Sequence, residues 1–378
     1  MDFAIEAHHR QFRDQIRNLI AEHVDDEVIE EAHRTGTNHA ASLHRALGEL
    51  GVLIRATPGP EKDPVELWLL SSEMEKAGAP FDSTGMVLTI AGVIDAIGTS
   101  HQRDTIGSGL AAGTDLVCFG LTEPDGGSDL AAMRTRAERD GNQWVINGAK
   151  MWTTMAHVAD WVFLMTRTDT SGGRYDGFTV FLLPMHTLGI TVDPVFTMST
   201  ERSNATFYDD VVVGDEWVVG EPDNGWAVLG LMLGFERGMG NTGFLTPLLR
   251  RFTSWATRAG VVDEPSVRTR MAQIAIDAQM CELLTQRTVW TAATGAPPGV
   301  EGSIAKVFAT DAYVRHAQWA QATAAPESLL GFDEARAAAE GWIDHDIVHS
   351  IPQTIQGGTN EINRNNIAER FLGLPRFR

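Results

Sequence analysis

The sequence predicts an α+β chain built in three parts, helical, then β, then helical again, and three observations carry that prediction. Residues 3–35 place Phe3, Phe12, Ile16, Leu19, Ile20 and Val24 at helical spacing among charged neighbours. From Leu116 onward short runs rich in β-branched and aromatic residues appear, namely Trp144-Val145-Ile146, Trp161-Val162-Phe163-Leu164 and Phe178-Thr179-Val180-Phe181-Leu182, divided by Gly, Asn and Asp turns. From Gly225 long helical patterns return.

In order along the chain, helical runs are expected over 40–52, 64–78 and 84–97, separated by Pro58-Gly59-Pro60 and Gly78-Ala79-Pro80. After the β-rich stretch they are expected near 225–259, 264–294 and 300–325, with a last one after Thr359. The expected domains are therefore 1–115 (all-helical), 116–222 (β) and 223–378 (helical), without internal repeats or low-complexity tracts. A chain of 378 residues exceeds one ordinary core, which agrees with several packed units.

Composition narrows the function. Hydrophobic residues make up 43% and charged residues 21%, so the chain can fold with little disorder. The net charge of -20 repels polyanions and argues against nucleic-acid or anionic-membrane partners, so a phosphate-bearing ligand must be met locally. Lysine occurs only at 62, 76, 150 and 306, so the 30 basic residues are mostly arginines, which suit bidentate phosphate and carboxylate contacts. Cys118 and Cys281 lie far apart, giving neither a disulfide framework nor metal spacing. The first residues lack the basic and apolar regions of a signal peptide, and no stretch is long enough to span a bilayer. A cytoplasmic location and no metal are the expectations.

Several segments carry chemistry. Leu121-Thr122-Glu123-Pro124-Asp125-Gly126-Gly127-Ser128-Asp129 is on its own a polar turn after a strand, dense in backbone N–H and hydroxyl donors. Asn147-Gly148-Ala149-Lys150-Met151-Trp152-Thr153-Thr154 follows, and a strand there would put Trp152 and Thr154 on one face. Trp226 to Phe235 is apolar nearly all round and reads as a buried helix, ended by Glu236-Arg237. A carboxylate at the edge of an apolar helix must find a partner or raise its pKa, and a raised pKa suits a general base for a weak carbon acid. Gln356-Gly357-Gly358-Thr359-Asn360-Glu361-Ile362 reads as a Gly-rich loop and N-cap opening a last helix.

Two patterns point elsewhere and are set aside. Gly238-Met239-Gly240-Asn241-Thr242-Gly243 fits G-x-G-x-x-G, but no strand precedes it and no βαβ unit surrounds it, so a nicotinamide site is not expected. His345 and His349 are four apart and would share a helix face, but Asp346 replaces the Glu of a zinc motif and no third ligand is evident.

The two segments around Thr122 and Trp152 resemble the flavin-contacting signatures of the acyl-CoA dehydrogenase family. Met1-Asp2-Phe3, Glu236-Arg237 and Gly358-Thr359-Asn360-Glu361-Ile362 fall in the family's order, so the resemblance covers nearly the whole chain. It implies an N-terminal helical domain, a middle β-barrel-like domain and a C-terminal helical bundle, with FAD between the last two and a neighbouring subunit. It implies further that Phe119, Leu121 and Thr122 line the flavin, that Ser128 approaches the cofactor or acyl-CoA, and that Trp152 lies against the flavin face. Thr154 would bond near the reactive flavin nitrogen, and Thr359 and Glu361 would approach the FAD adenosine end. Glu236 takes the place of the base found at this helix position in one branch of the family, with Arg237 positioning it and touching substrate, and the Gly357 N–H faces the thioester carbonyl.

The implied reaction is α,β-desaturation of an acyl-CoA, with electrons passed to an electron-transfer flavoprotein or a similar acceptor. Other enzymes of this fold, oxidases and monooxygenases, and a redox-inactive or structural partner subunit are the rival readings. Gly357 stands where many members carry a catalytic Glu, and the missing bulk fits a branched or polycyclic acyl group such as a sterol side chain. The Arg-x-x-Phe-Gly pattern survives only as Arg258-Ala259-Gly260, and Glu327-Ser328-Leu329-Leu330-Gly331 has lost the Gln and paired Gly that clasp a neighbour's FAD pyrophosphate. A heterotetramer with a related subunit is therefore expected, or otherwise a homotetramer.

Overall fold

The structure, a computed structural model, describes residues 5–59, 61–199, 201–239, 243–294, 299–332 and 334–376, with the side chains of Arg237 and Gly238 outside the description. The helices that open the chain are α1 (Ala7–His23), α2 (Asp26–Thr35), α3 (Ala41–Glu49), α4 (Val52–Ala56), α5 (Pro64–Ala77), α6 (Asp82–Ile97), α7 (Ser100–Gln102) and α8 (Ser108–Ala112). The helical pattern over 3–35 is broken in two because the Asp25 side chain accepts the Val28 N–H at 3.0 Å and caps α2.

Eight strands follow: β1 (Val117–Gly120), β2 (Arg136–Asp140), β3 (Gln143–Lys150), β4 (Trp161–Arg167), β5 (Phe178–Pro184), β6 (Ile190–Phe196), β7 (Arg202–Gly214) and β8 (Val218–Val219). They form one sheet in the order β6-β7-β3-β2-β4-β5-β8, with β1 laid parallel on β4. The apolar runs of β4 and β5 are explained by burial on both faces. Trp161, Phe163, Met165, Phe178, Val180 and Leu182 enter one core with Ile90, Val93 and Ile94 of α6. Val162, Leu164, Phe181 and Leu183 alternate into a second core with Trp144, Ile146 and Tyr208.

The remaining helices are α9 (Gly225–Gly238), α10 (Leu245–Arg258), α11 (Pro265–Ala293), α12 (Glu301–Thr323), α13 (Trp342–Gln353) and α14 (Asn360–Asn366). The single segment expected near 225–259 is thus two helices; α9 ends at Gly238, and the Gly243 N–H donates to Glu75 Oε2 at 2.6 Å before α10 begins. α13 was anticipated only as the face shared by His345 and His349. By contact density the chain divides into one unit of residues 1–13, 68–79 and 237–378, and another of 14–67 and 80–236. Leu248, Phe252, Ile274, Ala312, Tyr313 and Ile343 sit in the core of the first. The sheet, α6 and most of α9 form the second.

Candidate functional site

In the unit that holds the sheet, β1 delivers Phe119 and releases the chain into the Leu121–Asp129 loop, while β3 delivers Lys150 and releases it into the turn at Trp152. The two exits are joined: the Met151 N–H donates to the Thr122 carbonyl at 2.8 Å, and Lys150 Nζ donates to the Leu121 carbonyl at 3.1 Å. Beneath them lies a buried ion pair, Lys150 Nζ to Glu123 Oε1 at 3.0 Å. Glu123 also accepts the backbone N–H of Arg134 at 2.6 Å and of Thr135 at 2.8 Å. Burial pushes the Glu123 carboxyl up, but Lys150 and these donors outweigh it and hold the group below its usual range. Burial pulls Lys150 down to about 8 against the pull of Glu123, so the amine is still mostly charged at neutral pH. This pair was not singled out from sequence; its signal is a lysine at the end of a strand directly before the Met151–Thr154 signature, in a chain with four lysines.

The strand reading of Trp152 and Thr154 is corrected. β3 ends at Lys150, and Trp152 sits in a turn with φ of 60°, in the left-handed region a tryptophan seldom adopts. A shared strand face therefore does not relate it to Thr154, whose N–H instead donates to the Trp152 carbonyl at 3.0 Å. The Trp152 ring is also no core residue, being 53% exposed. The buried neighbour Thr153 anchors the turn, its N–H on the Asn204 carbonyl at 2.9 Å and its own carbonyl on Asn204 Nδ2 at 3.0 Å.

Phe119 and Leu121 are half-buried and pack on the rim of the same core as Trp226, Leu231, Leu233 and Phe235 of α9. α9 is not buried all round as its composition suggested: Val228, Leu229 and Met232 are buried, whereas Leu231, Leu233, Phe235 and Glu236 remain half-exposed. Gly92 on α6 permits the close approach of this turn, since a Cβ there would stand 3.1 Å from the Phe235 ring. The hydroxyls of Thr122, Ser128 and Thr154 take no protein partner among the described residues. Ser128 is exposed beside Asp129, which Arg174 binds at 2.6 Å.

In the other unit Gly357 and Gly358 have φ of 64° and 81°, both in the left-handed region, and both are exposed. Thr359 caps α14 by accepting the Ile362 N–H at 3.2 Å. Glu361 is exposed, its carboxyl held below the usual range by its own backbone N–H and then by the Thr359 hydroxyl. Arg237 is the first residue of this unit's long segment, and its side chain lies outside the description. Arg258 is engaged by Glu340 at 2.6 Å, and Ser328 is buried with its hydroxyl on the Gln321 carbonyl at 2.7 Å.

The patterns set aside are explained by their surroundings. A helix, α9, precedes Gly238, and Gly240, Asn241 and Thr242 lie outside the described residues. His349 is held by the Tyr313 hydroxyl at 3.3 Å and by Gln353 at 2.9 Å, while the His345 ring stacks on it at 5.1 Å.

Three models of the acyl-CoA dehydrogenase family match the chain: the N-terminal domain over residues 6–114, the middle domain over 118–211 and the C-terminal domain over 223–372. Acyl-CoA dehydrogenase IpdE1 of Mycobacterium tuberculosis is 33% identical over 293 residues, 74% of this chain and 72% of that protein. Among solved structures, the steroid ACAD Tcur3481-Tcur3483 aligns over 100% of both chains with a TM-score of 0.90 and 26% identity. The ChsE4-ChsE5 complex from Mycobacterium tuberculosis aligns over 100% of both chains with a TM-score of 0.89 and 28% identity. With the α, β, α order and the joined signature loops already in place, the chain belongs to the acyl-CoA dehydrogenase family.

Proposed function

We propose that this acyl-CoA dehydrogenase binds FAD through its own loops and uses Glu236 to desaturate an acyl-CoA between the α and β carbons. The observation that carries the reading is the union of the two signature loops over the buried Glu123–Lys150 pair, which ties the Thr122 carbonyl to the segment that leads into Trp152 and Thr154. The residues fit a flavin: an aromatic side chain left exposed in a strained backbone conformation, and nearby in sequence hydroxyls with no protein partner among the described residues. Bound FAD would accept the β hydride and supply a ribityl hydroxyl to the thioester oxygen.

The remaining work falls to the chain. An α C–H beside a thioester is too weak an acid for an ordinary carboxylate, so the enolate must be stabilised as it forms. Glu236, at the edge of an apolar helix face, would take the α proton, with Arg237 orienting it and contacting substrate. The Gly357 N–H would donate to the thioester oxygen, Phe119, Leu121 and Trp152 would seat the ring, Ser128 would meet cofactor or acyl-CoA, and Thr359 and Glu361 would lie toward the adenosine end. No helix among the described residues is long and apolar enough to cross a membrane, and we place the protein in the cytoplasm with a soluble electron acceptor such as an electron-transfer flavoprotein.

A heteromer with a related subunit is part of the same reading, within domains 1–115, 116–222 and 223–378. The relatives named for a steroid substrate and for a two-protein complex support it, as do Arg258 and Ser328, whose side chains are engaged within this chain rather than free to clasp a pyrophosphate. α11 also exposes Ile276, Met280, Leu283 and Trp290 at alternating spacings suited to packing against another helix. A polycyclic or branched acyl-CoA is the substrate class the glycine at 357 favours. The test is anaerobic titration of the purified holoprotein with acyl-CoAs running from short linear to steroid-bearing. Bleaching of the flavin by the bulky members supports the reading, and a flavin that none of them reduces refutes it.

A further inference from the structure

Two successive glycines leave the Gly357–Gly358 segment without steric preference, so the direction of the Gly357 N–H must be imposed from outside. The imposing groups lie on α12 and α14. The Gly358 carbonyl accepts Lys306 Nζ at 3.0 Å and Asn363 Nδ2 at 2.8 Å. Lys306 Nζ donates also to Asn360 Oδ1 at 2.8 Å, an oxygen that takes a second bond from Thr310 Oγ1 at 3.1 Å. Asn360 Nδ2 in turn donates to Asp311 Oδ1 at 2.8 Å, and Arg364 binds Asp311 Oδ2 at 2.5 Å. Asn360, Asn363 and Thr310 are buried, so this is a fixed cluster and not a surface accident.

Resting on the reading of Gly357 as thioester donor, we propose that Lys306 is a positioning residue for the desaturation: it grips the Gly358 carbonyl and so aims the Gly357 N–H at the thioester oxygen. A lysine is an expensive way to hold a turn. Burial pulls its amine down to about 8, against Asp311 and Glu361 and together with Arg364, so the fold carries a partly desolvated cation where an asparagine would bond the same carbonyl. Its advantage is a charge-assisted bond, shorter and stronger than a neutral one, on a segment that has no side chain of its own to lock it. The role differs from that of the Thr359 cap, whose hydroxyl satisfies an α14 N–H rather than the Gly358 carbonyl.

The test compares wild-type holoprotein with Lys306→Met and Lys306→Arg. Four quantities are read: flavin content, apoprotein melting, the anaerobic rate of flavin reduction by the acyl-CoA that bleaches wild type fastest, and the long-wavelength band formed when acetoacetyl-CoA binds as its enolate. Lys306→Met is expected to keep its flavin, melt within about 2 °C of wild type, lose roughly 10- to 100-fold in reduction rate with half-saturation changed less than about threefold, and weaken the enolate band. Lys306→Arg should recover most of the rate. A Met variant that reduces at wild-type rate overturns the proposal. So does one whose rate, flavin and melting fall together without rescue by Arg, since that marks a purely structural role. Should Lys306→Met not fold, Lys306→Gln is judged by the same criteria. A wild-type flavin that no acyl-CoA bleaches would sink the dehydrogenase reading alone, because the acetoacetyl-CoA band needs no turnover and still tests Lys306.

Discussion

Replacing Lys150 with Met removes one half of a pair in which the lysine is 0% and the glutamate 8% exposed, and leaves Glu123 as a buried carboxylate. Breaking such a pair costs about 3–5 kcal/mol, because the remaining charge has lost its counter-ion. Here Glu123 keeps the N–H donors of Arg134 and Thr135, which places the cost at the lower end, about 3 kcal/mol. For a unit of this size that corresponds to a fall in melting temperature of roughly 6–12 °C. The pH dependence follows from the two shifts. The Glu123 contribution is present above the ordinary carboxylate range and lost as pH falls through its lowered value. Lys150, at about 8 against an ordinary 10.5, binds its proton less tightly in the folded chain, so wild-type stability should rise from pH 8 toward 10.5. Lys150→Met should lack that rise. Calorimetry of the apoprotein across pH 6–10, with flavin content after reconstitution, measures both, and the double variant Glu123→Gln/Lys150→Met should regain at least half of the lost stability. A single variant that melts within about 2 °C of wild type would show that the pair does not hold the loops, and the argument from Lys150 to Thr122 would fail.

Three further outcomes are expected. Trp152→Gly should leave the apoprotein as stable or up to about 1 kcal/mol more stable, because the left-handed conformation is costly for an L-residue, while FAD affinity falls; a destabilised apoprotein with unchanged flavin binding would remove Trp152 from the cofactor site. Gly357→Glu should cost about 1–2 kcal/mol through its φ of 64° and slow bulky acyl-CoAs more than short linear ones; equal losses across a size series would remove steric room as the reason for glycine. Native mass spectrometry of this chain co-expressed with a related subunit that has both pyrophosphate-clasping segments should show a heterotetramer with fewer FADs than chains, and an active homotetramer with four FADs purified alone would contradict it.

The fold was legible where one physical signal dominated. β4 and β5 were visible as apolar runs because both faces are buried, and α11 and α12 because long helices repeat their pattern many times. α13 was obscured by Asp344, His345, Asp346 and His349, which interrupt its apolar pattern; Asp346 is held by Tyr313 and His349 by Tyr313 and Gln353, contacts that no local spacing reveals. α9 ends at Gly238 and α10 begins at Leu245, and the glycines between them were visible in the sequence, yet glycine is tolerated in helices and did not by itself mark a break. Trp152 is the most instructive position. Alternation suggested a strand, but Met151 is drawn to the Thr122 carbonyl and Thr153 to Asn204, so the chain turns and the ring is turned outward. The roles proposed for Thr122 and Trp152 rest on resemblance, whereas the Glu123–Lys150 pair and the Lys306 cluster depend on residues 27 and 52 apart in sequence, distances at which spacing carries no information.

The central claim is that Glu236 takes the α proton. Rapid mixing of Glu236→Gln holoprotein with the acyl-CoA that best reduces wild type, under anaerobic conditions, tests it directly. Gln is nearly isosteric, so bound flavin and its spectrum should be unchanged, while the reduction rate falls by about 10²- to 10⁴-fold, the share a positioned general base contributes. Reduction at the wild-type rate, with flavin fully bound, would contradict the account and place the base elsewhere in the chain.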